Sequence, residues 1–329
     1  MNKIDFPNYN QVLKAIDKLK NVEWPKFDNQ TPTSDIIKKF EELYFKELPI
    51  FPNVKKFKKS SEFQLSIFRV REFDTILNKD LISEYSYPPI NLTKIGRCNF
   101  PKRPVFYCSE NPMVALMETV KENDFTGKIF CLSKWNLIPS ENEFVLEHFL
   151  RGGLHPENPF NILIDNELNQ LKEQYKKDWD EDVEKGFLKL QEFLHETFIK
   201  DNNYGLSATL ANRTLFTPHN VSTDILLYPS VQTKYKGTNM AINPNFVDQQ
   251  MQLQRLYLVK LNRQDLESGE FNISFTQSYG VVNKNKIEWK QIDPENEEYK
   301  KFILEDFAHQ LHADLEFKFE TKKSNHNNK

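Results

Sequence analysis

The amino-acid sequence predicts an α+β fold, in which strands and helices are grouped rather than strictly alternating. Three observations lead to this prediction. Short apolar runs typical of strands recur from residue 63 onward. Amphipathic helical patterns occupy the N-terminal region and the middle of the chain. The strand patterns do not follow the regular βαβα order of a doubly wound sheet. With 329 residues and 39% hydrophobic content, the chain can bury a substantial core.

Residues 1–60 are predicted to form a helical N-terminal extension. Apolar residues recur at helical spacing from Tyr9 to Leu19, and a second helical pattern runs from Ser34 to Tyr44. The segment ends in the basic run KKFKK at residues 55–59. We therefore expect two helices joined by a loop, placed ahead of the main domain.

Residues 61–320 are predicted to form the main domain, and residues 321–329 a disordered tail. A hairpin is expected around NKNK at 283–286, and a last strand at 315–321. A charged helical stretch at about 140–205 interrupts the domain, and its many Glu and Lys residues are typical of solvated helices projecting from a core. The other strand patterns are FQLSIFRV, PVFYC, KIFCLSKW, DILLYPSV, NMAINP, LQRLYLVKL and FNISF.

Composition and motifs exclude several classes of function. The 44 Lys and Arg residues are balanced by 47 Asp and Glu, so no nucleic-acid partner is expected. The start of the chain lacks the apolar core of a signal peptide, and no segment approaches the ~18 apolar residues of a membrane helix, so we expect a cytoplasmic protein. The nine glycines form neither GxGxxG nor a P-loop. His309 and His312 lack a recognisable third ligand, so no metal site is predicted.

The stretch NPMVALME predicts a helix that carries a single acid, Glu118. Asn111 and Pro112 are typical of a helix start. The face that carries Glu118 also carries Val114 and Ala115, so the helix is apolar nearly all round and should pack on both sides. A solvated glutamate is the ordinary alternative, but this pattern favours a carboxylate that lines a cleft.

Two arginines and a serine stand in contexts that suggest binding. Arg69 and Arg97 lie among apolar, strand-like residues, where a charge needs a partner. That partner is either an internal carboxylate or a phosphate group, and the sequence leaves both open. Ser230 follows Pro229 at the end of a strand, where it either binds a ligand or makes local hydrogen bonds.

Taken in order, these motifs resemble the RES domain family, toxins of bacterial toxin–antitoxin systems that degrade NAD and whose fold is related to ADP-ribosyltransferases. The resemblance spans about 66–245 and is interrupted by the charged helical stretch. Its motifs are IFRV with Arg69, GRCN with Arg97, PVFYCSENPMVALME with Tyr107 and Glu118, YPSV with Ser230, and GTNMAINP with Asn239.

The resemblance implies a mainly antiparallel sheet with flanking helices, and cleavage of the nicotinamide–ribose bond of NAD by phosphate or water. It implies NAD as substrate, no resident cofactor and a cognate antitoxin as partner. The alternatives are a protein ADP-ribosyltransferase and a non-catalytic nucleotide-binding module; the oligomeric state stays open. The implied catalytic residues are Glu118, Arg69 and Tyr107, and the implied NAD-binding residues are Arg97, Ser230 and Asn239.

Overall fold

Ten strands form one open sheet in the computed structural model, which describes residues 6–25, 33–51, 55–120, 125–216, 221–233, 236–264, 271–292 and 297–307. The strand order across the sheet is β1-β5-β6-β7-β3-β2-β4-β8-β9-β10. Within these residues every neighbouring pair is antiparallel except β5 and β6, which are parallel. The strands are β1 Lys56–Lys59, β2 Ser66–Glu72, β3 Phe106–Ser109, β4 Ile129–Leu137, β5 Glu143–His148, β6 Ile225–Pro229, β7 Thr238–Ile242, β8 Met251–Gln264, β9 Phe271–Asn283 and β10 Lys286–Gln291.

Helices flank this sheet, and the largest core cluster joins the helices α1, α5 and α6 to its central strands. A second cluster lies under α3 and α8, against β2, β4, β8 and β9. The helices are α1 Tyr9–Lys20, α2 Thr33–Glu47, α3 Pro112–Val120, α4 Asn161–Tyr175, α5 Glu181–Lys200, α6 Gly205–Leu215, α7 Pro244–Gln250 and α8 Glu297–Phe307.

A mixed fold with a mostly antiparallel sheet and flanking helices is therefore confirmed. The two N-terminal helices form where their spacing predicts them, and the predicted hairpin joins β9 to β10. Its turn places Lys284 in the left-handed region, with φ 54°. Such a conformation is typical of the tight two-residue turns that match the twist of paired strands.

Two strands lie in regions that the sequence assigned to helices. β1 falls within residues 1–60, and its register with β5 makes it the edge of the main sheet. Lysines on an edge strand discourage pairing with other chains, so this basic run suits the position. β5 falls within 140–205, and its run Phe144, Val145 and Leu146 is fully buried. A continuous apolar run is typical of a strand covered on both faces.

The charged helical stretch does not project from the core as predicted. α5 buries Phe187, Leu190, Leu194 and Phe198, which recur at helical spacing, in the largest core cluster. Its Glu and Lys residues cover only the opposite face, because an amphipathic helix hides one apolar stripe and exposes the rest. α5 is thus part of the domain wall.

Three predictions lie outside the described residues: the strand at 315–321, the pair His309 and His312, and the disordered tail at 321–329. Among the residues that are described, no helix combines the length and apolar character needed to cross a bilayer.

Candidate functional site

A pocket of about 280 Å³ opens where β2 and β3 part. β2 is paired with β4 along its whole length from Ser66 to Glu72 but meets β3 at one pair, Phe68 and Ser109. Both strands and one side of α3 form its walls. The pocket is lined by five of the six predicted site residues: Arg69, Arg97, Tyr107, Glu118 and Asn239.

Glu118 is presented to this pocket, which we call the Glu118 pocket, by the helix α3. The Asn111 Oδ1 accepts hydrogen bonds from the backbone N–H groups of Met113 at 2.8 Å and Val114 at 3.1 Å, as an N-cap does. Leu116 is fully buried in the core beneath the helix. Two positions further on, Glu118 is partly buried and turned to the pocket.

Ser230 holds the Glu118 carboxylate. The Ser230 Oγ donates a 2.7 Å hydrogen bond to Glu118 Oε1. Ser230 lies at the end of β6, and its N–H donates to Gly237 O at 3.2 Å across the connection to β7. A Cβ on Gly237 would lie 2.6 Å from Val114 Cγ2, so this connection packs directly against α3. Ser230 is fully buried and does not line the pocket, so the structure places it as a partner of Glu118 rather than as a contact for a ligand.

Arg69 brings a buried guanidinium group to the same pocket. Its Nη1 donates to Tyr107 O at 2.9 Å, and its Nε is enclosed without an acceptor among the described residues. Burial, and then the nearby charge of Arg71, lowers the pKa of Arg69 to about 10. No carboxylate in the described part of the chain forms an ion pair with Arg69, so the alternative of an internal carboxylate partner is not realised there.

Arg97 reaches the pocket from the loop before β3. Its Nη1 donates to Phe198 O, and its guanidinium lies 5.2 Å from the centre of the Tyr204 ring. Phe198 belongs to α5, and Tyr204 directly precedes α6. Two elements of the predicted insertion therefore fix this arginine.

The hydroxyl group of Tyr107 is fully engaged within the protein. It donates to Asn99 Oδ1 at 2.8 Å and accepts from the N–H of Cys98 at 2.7 Å. Burial raises the pKa of Tyr107 well above its ordinary value. Gly96 permits this arrangement, because an added Cβ would lie 2.8 Å from Tyr107 Oη. Tyr107 therefore offers a ligand its ring rather than its hydroxyl.

Asn239 occupies the pocket floor on β7. Its side chain is almost completely buried, and its Oδ1 accepts a 2.6 Å hydrogen bond from Ser109 Oγ. That bond joins β7 to the neighbouring strand β3 and fixes the amide. The amide nitrogen is the group that remains to meet a ligand.

Sequence reasoning missed two residues near the pocket. Tyr204 lines the pocket from the predicted insertion, and no pattern in the sequence around it indicates a binding residue. Glu110 lies just before the cap of α3 and accepts from the N–H of Thr238 at 3.1 Å. Burial, with a smaller contribution from the charge of Glu118, raises the pKa of Glu110 to about 8, although the hydrogen bond from the Thr238 N–H acts to lower it. The signal that could have identified Glu110 is its position as an acid directly after an apolar strand.

A second, wider cleft of about 1150 Å³ lies on the other side of α3. Met113, Val114 and Met117 form its helical wall, while Ala115 and Glu118 face the Glu118 pocket. α3 is thus packed or lined on both sides, as its apolar character nearly all round predicts, although Val114 lines the wider cleft and not the Glu118 pocket.

Comparisons with models of known protein families and with curated proteins yield no match. The geometry of the pocket therefore carries the functional argument. It combines a hydrogen-bonded carboxylate, two guanidinium groups and an aromatic wall, a set suited to a ligand with anionic groups and a centre that becomes cationic. Among the described residues, no three His, Cys, Asp or Glu side chains meet as metal ligands would.

Proposed function

We propose that this protein cleaves the nicotinamide–ribose bond of NAD and transfers the ADP-ribosyl group to phosphate or water. One observation carries the proposal: the Glu118 pocket contains a guanidinium group, that of Arg69, which is enclosed without an anionic partner in the described part of the chain, together with a carboxylate that is oriented by Ser230.

The arginines account for the anionic part of the substrate. Leaving a buried charge without a counter-ion is costly, so a site of this kind favours an anion as its occupant. A guanidinium group presents several N–H donors in a planar fork that matches phosphate oxygens. Arg69 and Arg97 line the same pocket, and we assign the pyrophosphate of NAD to them.

Glu118 accounts for the chemistry. When the bond between C1′ of the ribose and the nicotinamide nitrogen breaks, the electron pair leaves with nicotinamide, which becomes neutral, and the ribose becomes an oxocarbenium-like cation. A fixed carboxylate stabilises that cation. An oxygen of phosphate or water then bonds to C1′, and water loses a proton in this step. The hydrogen bond from Ser230 holds the carboxylate in one orientation, so little reorganisation is required during the reaction.

The proposal extends to the fold and the cellular role. A mostly antiparallel sheet that parts at β2 and β3 to form a pocket supports an ADP-ribosyltransferase-like assignment. With the ordered motifs, it supports membership of the RES domain family. A cytoplasmic location and a cognate antitoxin partner follow from that assignment as further proposals.

The test is to incubate the purified protein with NAD, with and without inorganic phosphate, and to identify every product. We expect release of nicotinamide, with ADP-ribose, or ADP-ribose phosphorylated at the carbon that carried nicotinamide, as the second product. Phosphate-dependent turnover would identify a phosphorylase, and label found on protein would identify a transferase. NAD that stays intact under both conditions would refute the proposal.

A further inference from the structure

Tyr204 has a strained backbone and lines the Glu118 pocket. It lies in the left-handed region, with φ 59° and ψ 7°, at the N-cap of α6, and its side chain makes no capping hydrogen bond. A bulky residue in this region is a genuine outlier, and the usual N-cap residues are Ser, Thr, Asp, Asn and Gly. Strain of this kind persists where the surrounding structure over-determines it, often at a binding site.

Tyr204 makes a cation–π contact with Arg97. The guanidinium group of Arg97 lies 5.2 Å from the centre of the Tyr204 ring, and its Nη1 donates to Phe198 O. A guanidinium group that stacks on an aromatic face keeps its N–H donors in one plane and free to point sideways. The two contacts therefore restrict the direction in which Arg97 presents its donors to the pocket.

The N-terminal extension packs against the start of α6, next to Tyr204. Gly205 follows Tyr204, and an added Cβ there would lie 2.3 Å from Cζ of Phe40 on α2. The ring of Phe40 is in turn stacked on Trp24, with ring centres 5.2 Å apart. The start of α6 is thus pressed against α2, and this close approach defines where the backbone of Tyr204 lies.

We propose that Tyr204 is a positioning residue, which holds Arg97 in the orientation that binds the diphosphate of the ligand. The insertion and the N-terminal extension then complete the binding site instead of being appended to it. The identity of the anion rests on the proposed function. The consequence is specific: loss of the Tyr204 ring weakens binding of a diphosphate while the bond-breaking step, which depends on Glu118, is spared.

The test compares Tyr204→Phe, Tyr204→Leu and Tyr204→Gly with the wild type. Binding of inorganic pyrophosphate and of ADP-ribose is measured by titration calorimetry, and folding by thermal unfolding without ligand. We expect Tyr204→Phe to bind like the wild type, and the other two variants to bind roughly tenfold more weakly, as loss of a cation–π contact predicts. Tyr204→Gly should keep the melting temperature of the wild type, because glycine adopts this backbone conformation without strain.

Kinetics add a second readout if the wild type consumes NAD. The KM of Tyr204→Leu and Tyr204→Gly should then rise by a similar factor with kcat nearly unchanged. Unchanged affinity for pyrophosphate and ADP-ribose in both variants would overturn the inference, and so would a wild type that binds neither compound. A wild type that binds them but leaves NAD intact would refute the proposed function and not the role of Tyr204.

Discussion

Replacement of Arg69 by methionine should raise the free energy of unfolding of the protein measured without ligand, while destroying the site. The fall in the pKa of Arg69 to about 10 means that the folded protein disfavours the charged form relative to the unfolded chain. This penalty is fully present below pH 10, where the side chain is charged in both states, and it amounts to about 3 kcal/mol. A functional site that is less stable than its surroundings is a common feature of enzymes.

The net gain is smaller than the penalty, since methionine also removes a favourable contact. Arg69 Nη1 donates to Tyr107 O at 2.9 Å, and the loss of that donor costs about 1–2 kcal/mol. Methionine fills a similar volume with a flexible apolar chain. We therefore expect Arg69→Met to raise the free energy of unfolding by about 1–2 kcal/mol at pH 7.

The assay is urea unfolding of the ligand-free protein, followed by measurement of NAD turnover, which should be lost. Arg71→Met is the matched control, because Arg71 lies two residues further along β2 and forms an ion pair with Glu84 at 3.2 Å. It should destabilise the protein, since Glu84 loses its partner. If Arg69→Met is destabilised as much as Arg71→Met, the guanidinium group of Arg69 has a structural role and the reasoning is wrong.

Three further variants test individual contacts. Glu110→Gln removes a carboxyl group whose pKa is raised to about 8 in the folded protein. Because this group loses its proton at lower pH in the unfolded chain, the free energy of unfolding of the wild type falls between about pH 4.5 and pH 8. Urea unfolding at pH 5 and pH 8 should show a smaller fall in the free energy of unfolding for the variant. Gly96→Ala places a Cβ 2.8 Å from Tyr107 Oη and should lower the free energy of unfolding by about 1–3 kcal/mol; unchanged stability would contradict the close approach. Ser230→Ala removes the 2.7 Å hydrogen bond to Glu118 and should lower kcat by about tenfold, whereas an equal kcat would show that Glu118 needs no orientation.

Local patterns predicted much of the fold because they depend on periodicity. The helical spacing from Tyr9 onward and the alternation on either side of NKNK both describe elements that bury one face. β1 and β5 were not predicted, because they depend on pairing rather than on periodicity. Their pairing is long-range, with Lys56 opposite Leu146, and nothing within either segment reveals its partner. Strand preference depends on such neighbours more than on the strand itself.

The candidate site likewise contains residues that local sequence patterns identify and residues whose contacts only the folded structure reveals. Glu118 could be singled out because it is the one acid on a helix that is otherwise apolar, and Arg69 because an apolar strand surrounds it. The contribution of Tyr204 could not be predicted, because its backbone conformation and its cation–π contact with Arg97 arise only when the insertion packs against the main domain. Ser230 was predicted to bind a ligand, and only the structure reveals that its hydroxyl is directed at Glu118.

The rate of nicotinamide release from NAD by the wild type and by Glu118→Gln tests the central claim most directly. Glutamine keeps the size of the side chain and an oxygen that can accept from Ser230, but it removes the negative charge. We predict measurable release by the wild type, and a fall of kcat by roughly 10²–10³ in a variant that unfolds at the same temperature. Equal rates in the two proteins would contradict the role assigned to Glu118.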